Sequence, residues 1–155
     1  MTAMPAQRPG RSKQDYGTPW DFIRAVQRRF GNIDVDLAAR RDNAKAPRWI
    51  GPARNSLRVC WSRIYLRSLG WLNPPFDNIE PWAAKCAVET GLRIIMLTPA
   101  SVGTNWFADH VHGRAWVLAL SPRLTFEGHE DPFPKDCMLS LFGFGKPRFD
   151  LWRWK

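Results

Sequence analysis

Ile64–Leu72 (IYLRSLGWL) stops at Asn73-Pro74-Pro75-Phe76; the segment Ile79–Thr90 follows, and then the apolar run Leu92–Leu97 (LRIIML), closed by Thr98-Pro99. These 36 residues, 64–99, set the fold class. Ile64–Leu72 contains strand-like material, and two prolines without amide donors cannot prolong a central strand. In Ile79–Thr90 a helix carries Trp82, Ala83, Cys86 and Ala87 on one face, with Gly91 as its stop. A short, continuous apolar run such as Leu92–Leu97 fits a strand buried on both faces. Strand, loop, helix and strand in that order form the unit of a parallel α/β sheet.

Working outward, the same alternation continues. Thr104–His112 reads as a short helix, and Ala115–Leu120 and Met138–Phe144 as buried strands, the second after a proline-rich loop at 131–134. Upstream, Thr18 can cap a helix whose first position is Pro19. Phe22, Ile23, Val26 and Phe30 mark its apolar face, and Gly31 ends it. Ile33–Leu37 alternates as a short strand. Arg40–Asn55 is polar with little periodicity. Met1–Gln14 has almost nothing to bury and reads as a flexible basic tail (1–14), which leaves 15–155 as one domain. The predicted class is a compact α/β fold with a mostly parallel sheet. In such sheets ligands bind beyond the carboxyl ends of the strands, and Asn73–Phe76 and Thr98-Pro99 open onto the same edge.

Composition narrows the function. Hydrophobic residues make up 45% of the chain and charged ones 24%, as in ordinary globular proteins. No apolar run approaches the ~20 residues of a spanning helix, so no membrane partner is expected. Met1–Arg11 holds no apolar segment of the kind a secretory signal needs. Cys60, Cys86 and Cys137 are widely spaced, and His110 and His112 are two apart on a predicted helix, so neither set suggests a metal site. The net charge is +9, and residues 1–60 hold 12 Lys/Arg against 5 Asp/Glu while residues 61–155 hold 11 against 9. Such a basic half suits nucleic acid, although many small soluble proteins are simply basic. The Arg28-Arg29 and Arg40-Arg41 pairs are the candidates for contacts to a nucleic-acid backbone. The nine tryptophans are core residues or stacking surfaces for bases.

The tetrapeptide Asn73–Phe76 carries the chemistry. At the end of a strand, the prolines stiffen the backbone and hold the carbonyls in set directions. The Asn73 side-chain oxygen and the Pro74 carbonyl are two acceptors, and Phe76 adds a flat apolar face. Two acceptors and a ring suit a planar group with an exocyclic amine, such as adenine. Hydrogen bonds to that amine localise the nitrogen lone pair and make it a nucleophile without a strong base.

This tetrapeptide resembles the [DNS]-P-P-[YFW] motif of S-adenosylmethionine-dependent amino-methyltransferases. The wider chain resembles the small phage-type DNA N6-adenine methyltransferases over most of residues 15–145. The shared residues are Tyr16-Gly17-Thr18-Pro19, Asp36-Leu37-Ala38-Ala39, Asn43, Leu57, Trp61, Asn73–Phe76, Trp82, Lys85, Leu97-Thr98-Pro99-Ala100, Thr104–Phe107 and Pro122–Phe126. The resemblance implies a Rossmann-like methyltransferase fold, S-adenosylmethionine as cofactor and a flipped adenine in double-stranded DNA as substrate. It also implies a cytoplasmic place in a bacterial or phage-infected cell. It assigns the amine to Asn73 and the Pro74 carbonyl, base stacking to Phe76, a place in the same catalytic tetrapeptide to Pro75, and the cofactor to Thr18, Pro19, Asp36, Leu37 and Ala38. No metal is called for, because a sulfonium already makes the methyl group electrophilic. The aromatic-x-Gly-x-Gly cofactor loop is absent, Asp36–Ala39 stands in its place, and the short spacing to Asn73 predicts a trimmed cofactor half of the sheet.

Other positions keep two readings. Asp36 is a cofactor ligand or a loop acid, Trp106 a core residue or a base-stacking one, and Arg123 a phosphate contact or a salt-bridge partner. An RNA adenine, a cytosine amine or a glutamine amide are alternative substrates. A catalytically inactive nucleic-acid-binding relative is the alternative outside enzymes.

Overall fold

The computed structural model describes residues 16–155, so the expected basic tail at 1–14 and Asp15 lie outside the described residues. Four helices, α1 (Trp20–Phe30), α2 (Trp61–Ile64), α3 (Glu80–Val88) and α4 (Asn105–His110), flank seven strands. The strands are β1 (Val35–Asp36), β2 (Arg48–Trp49), β3 (Leu69–Leu72), β4 (Arg93–Pro99), β5 (Trp116–Ser121), β6 (Cys137–Phe142) and β7 (Arg148–Arg153). They form one sheet in the order β2-β1-β3-β4-β6-β5-β7. β1 pairs in parallel with β2 and β3, β3 with β4, and β5 with β7, while β6 alone runs against its neighbours β4 and β5. The expected α/β class and mostly parallel sheet are therefore found.

The core has two layers, one on each face of the sheet. On one face α1 lays Phe22, Ile23 and Val26 against Leu69, Trp71, Ile95, Leu97 and Leu139. On the other, Trp61 of α2, Ala83 and Cys86 of α3 and Phe107 of α4 cover Leu72, Ile94, Met96 and Met138. Alternation along each central strand sends neighbours to opposite layers, which is why β3, β4 and β6 are buried throughout except for Arg93. The predicted trimming is visible: outside β1 the sheet continues by only the two-residue β2.

Several local expectations need correction. Only Leu69–Leu72 of the 64–72 stretch is strand; Trp61–Ile64 is a helical turn instead. Glu89 imposes it, accepting the amides of Trp61 (3.1 Å) and Ser62 (2.9 Å) and so satisfying donors a short helix leaves open. Thr18 does not cap α1: the N-cap is Pro19, with no side-chain cap bond. The sequence gives no sign of β2, which is only two residues long, and the edge strand β7 is likewise outside the expected set: its Phe149 and Leu151 alternate with charged residues as a strand should, but both side chains are exposed. Among the described residues no helix is long and apolar enough to cross a membrane.

Gly70 sits in the middle of β3, between Val35 of β1 and Ile94 of β4. A Cβ there would lie 2.8 Å from Leu37 Cδ1 and 3.2 Å from Leu37 Cγ, and the fully buried Leu37 has nowhere to retreat. Gly70→Ala should therefore destabilise the fold by about 1–3 kcal/mol through overpacking, read as a lower urea midpoint at unchanged slope.

Candidate active site

β1 and β3 lie side by side and parallel, yet the chain leaves them in opposite directions. From β1 it turns outward to β2; from β3 it crosses through α3 to β4. Loops that diverge at the carboxyl ends of adjacent strands leave a crevice between them. Here it is a cavity of about 480 Å³, within the size range of small-molecule sites. Ala38, Ala39, Arg40 and Asn43 supply the wall after β1. Ile50, Gly51, Pro52, Asn55 and Ser56 follow β2 and supply the second wall. Asn73, Pro75 and Trp82 close the third side.

Asn73 is the best-determined polar group on this surface. Its Nδ2 donates to the Tyr16 carbonyl at 2.8 Å and to Thr18 Oγ1 at 3.1 Å. A carbonyl can only accept, so these bonds settle which end of the carboxamide is nitrogen. Both contacts are made by Nδ2, so Oδ1 is the carboxamide's remaining acceptor. Pro74 behind it is buried. Phe76 is half-buried in a group of rings. Tyr16 lies nearly parallel to it (25°, centroids 5.8 Å apart), and Phe126 and Phe133 approach at 6.0 and 5.8 Å. One side of the Phe76 ring thus faces Tyr16, an arrangement that holds the ring rigidly.

The residues assigned to a cofactor by sequence are not all brought together. Ala38 lines the cavity, whereas Thr18, Pro19, Asp36 and Leu37 do not. Thr18 is buried against Asn73, Pro19 precedes α1, and Leu37 is fully buried while its amide extends the ladder to the Trp71 carbonyl (2.8 Å). Asp36 is buried, with one oxygen on the Ala38 amide (3.3 Å) and the other on the Lys45 amide (3.0 Å). Its carboxylate organises the loop that forms the first wall. Burial pushes its pKa up to about 6, against the pull of those two amides and of the Lys45 charge. The Lys45 ammonium, itself buried, pairs with Glu127 Oε1 at 3.0 Å and lies 4.5 Å from the Trp20 ring centre.

The proposed backbone contacts also separate. Arg40 is in the cavity wall and Arg41 is exposed beside it. Arg28 and Arg29 lie in the last turn of α1, which starts next to the Thr18–Asn73 contact, so they sit about 12–14 Å along its axis from that end. The Arg29 guanidinium lies over the rings of Phe30, Trp116 and Trp152 at 5.0–5.4 Å. Trp106 packs on the core, T-shaped to Phe107. Arg123 pairs with Asp136 at 2.8 Å on the surface.

Sequence reasoning missed most of the second wall. Gly51-Pro52 and Asn55 carry recognisable turn signals, and Asn55 adopts a left-handed backbone (φ 47°) between two short 3-10 turns, Pro52–Arg54 and Ser56–Arg58. Those signals mark a loop but not what it faces. Trp82 stood in the resemblance; its place in the cavity follows from where β3 hands over to α3.

Comparison with known proteins adds two findings. The profile of the DNA N-6-adenine-methyltransferase (Dam) family matches residues 6–134. A protein of Escherichia phage T1 named DNA N-6-adenine-methyltransferase is 28% identical over 119 residues, covering 74% of this chain and 49% of its own. The chain spans about half the length of this curated relative.

The raised pKa of Asp36 has a thermodynamic signature. An acid raised from 3.8 to about 6 binds an extra proton in the folded state within that window. Stability must then fall as pH rises through it, by at most about 1.4 kcal/mol per unit. Urea unfolding of the wild type and of Asp36→Asn between pH 4 and 7 should show the wild type losing ground to the variant as pH increases, with a constant difference above about pH 7.

Proposed function

The chain belongs to the DNA N-6-adenine-methyltransferase (Dam) family, and from that premise we propose that it transfers a methyl group from S-adenosylmethionine to N6 of an adenine flipped out of double-stranded DNA. The observation that carries the reading is the oriented Asn73 carboxamide on the wall of the crevice between β1 and β3. The divergent connections at that crevice support a Rossmann-like description of the sheet.

The cavity residues fit the donor. About 480 Å³ is room enough, and Ala38, Ala39 and Gly51 keep the walls low. Arg40 supplies a cation suited to a carboxylate, Asn43 and Asn55 supply carboxamides, and Trp82 an aromatic surface. The chemistry supplied by the bound donor is an electrophilic methyl group on sulfonium sulfur. Asp36 enters indirectly, by fixing the loop that bears Ala38 and Arg40.

The reacting amine belongs to a base that lies inside the duplex stack until it is extruded, at a cost of a few kcal/mol. Phe76, held by Tyr16, Phe126 and Phe133, offers a stacking partner that recovers part of that cost. Asn73 Oδ1 and the Pro74 carbonyl accept the two amine hydrogens and hold the lone pair toward the cavity. Positive charge grows on the nitrogen as the new bond to carbon forms, so both acceptors bind the transition state more strongly than the ground state. The extra proton on nitrogen then passes to water, and no strong base is required. Exposed Arg41, Arg54 and Arg58, each one or two residues along the chain from a cavity-lining residue, offer phosphate contacts.

Two measurements test this reading. With tritiated donor and adenine-containing duplexes, label should appear as N6-methyladenine, and Asn73→Ala should lower turnover by roughly 10²–10³ with donor affinity little changed. Wild-type turnover in Asn73→Ala, or label on cytosine, would refute it. Replacing Arg41, Arg54 and Arg58 together by Gln should reduce the slope of log K against log salt for duplex binding by about 2.7, taking 0.9 per phosphate. An unchanged slope would move the backbone contacts elsewhere.

A further inference from the structure

We infer that Thr18 is a positioning residue for methyl transfer, acting through Asn73, and that the Tyr16 carbonyl and Thr18 hydroxyl together require an amide at position 73. The inference rests on the reading of Asn73 as the group that receives the amine. Sequence had given Thr18 either a helix cap or a cofactor contact. The structure gives it neither: α1 begins without a side-chain cap, and Thr18 does not line the cavity. Its buried hydroxyl meets Asn73 Nδ2 instead, 55 residues away in sequence.

The geometry explains why such a partner matters. A carboxamide at a strand end turns about its last bond over a broad, two-fold range. If it flips, a donor faces the substrate amine where an acceptor is needed, and the interaction is reversed in sign. One hydrogen bond to the Tyr16 carbonyl selects the correct flip; the second, to Thr18, fixes the plane. Segment 16–18 is itself anchored. The Glu127 amide donates to the Gly17 carbonyl (2.9 Å), and the Tyr16 ring packs on Phe126 and Phe133 (5.3 and 5.5 Å). A carboxylate at position 73 would set an acceptor oxygen against the Tyr16 carbonyl, which has no proton to give.

The test uses the full chain. Thr18→Val keeps the shape and removes the hydroxyl; Thr18→Ser keeps the hydroxyl. Thr18→Val should lower kcat about 5- to 10-fold, the worth of one hydrogen bond, with the KM for the donor unchanged, and Thr18→Ser should restore it. In an Asn73→Ala background Thr18→Val should cost nothing more, because the group it orients is gone. Wild-type kcat in Thr18→Val, or losses that multiply in the double variant, would overturn the inference.

Two further readings do not depend on turnover. In ¹H–¹⁵N spectra the Asn73 side-chain amide, assigned by its loss in Asn73→Ala, should show slowed hydrogen exchange that Thr18→Val relieves and Thr18→Ser retains. Asn73→Asp should lose stability relative to the wild type as pH rises from 4 to 7, since the facing carbonyl raises its carboxyl pKa. Fast exchange in the wild type, or a pH-independent difference for Asn73→Asp, would overturn the inference as well. A wild-type protein that methylates no adenine yet passes both tests would defeat the proposed function and leave the Thr18–Asn73 orientation standing.

Discussion

Pro74 and Pro75 end β3 in the middle of a sheet whose neighbour β4 runs on to Pro99. Neither proline can donate to the ladder, so the chain must leave the sheet at Asn73 whatever surrounds it. The exit is therefore forced at the carboxyl edge, next to β1. The cavity, the half-buried Phe76 and the start of α3 all follow from that one interruption. A chain that continued β3 by two paired residues would fill the crevice with its own backbone.

Around this exit the molecule ties together segments remote in sequence. Segment 16–18 receives the Asn73 amide and the Glu127 amide. Glu127 in turn pairs with Lys45, whose own amide is held by Asp36 at the end of β1. The wall after β1 and the Asn73 side of the site are thus linked through the buried Asp36 carboxylate and the buried Lys45 ammonium. Removing the Lys45 charge would leave Glu127 solvated, whereas removing Glu127 would leave a buried ammonium without its ion-pair partner, the costlier change. The loop between β5 and β6 is the least regular part of this assembly. It is held by Lys45–Glu127, by Arg123–Asp136 and by the rings of Phe126 and Phe133 rather than by ladder bonds.

The arginines fall into two structural classes. Arg29, Arg93 and Arg148 lie over aromatic rings at 3.7–5.4 Å, where their guanidinium planes cover apolar surface as well as carry charge. Arg41, Arg54 and Arg58 are exposed, one or two residues along the chain from the cavity-lining Arg40, Asn55 and Ser56. Counting basic residues along the chain cannot separate these two classes, because a stacked arginine and a solvated one look alike in sequence.

The α/β class, the run of β3 into α3 into β4, the stop at Gly31 and the exit of the chain from the sheet at Asn73-Pro74 are legible in the residues. Each depends on local chemistry: apolar periodicity, missing amide donors, or the freedom of glycine at φ 103°. The turn at Trp61–Ile64 was not legible, because Glu89 makes it from 27 and 28 residues away. The same holds for β7, which exists by pairing with β5 and buries almost none of its side chains. Of the tetrapeptide singled out in the sequence, Asn73 and Pro75 line the cavity, whereas Pro74 is buried behind them and Phe76 sits among Tyr16, Phe126 and Phe133. The bonds of Asp36 to the Ala38 and Lys45 amides, the contact of Thr18 with Asn73 and the second wall from 50–56 came only with the assembled fold. These features rest on hydrogen bonds and packing between segments that meet only when the sheet has assembled, and spacing along a chain carries no record of such meetings.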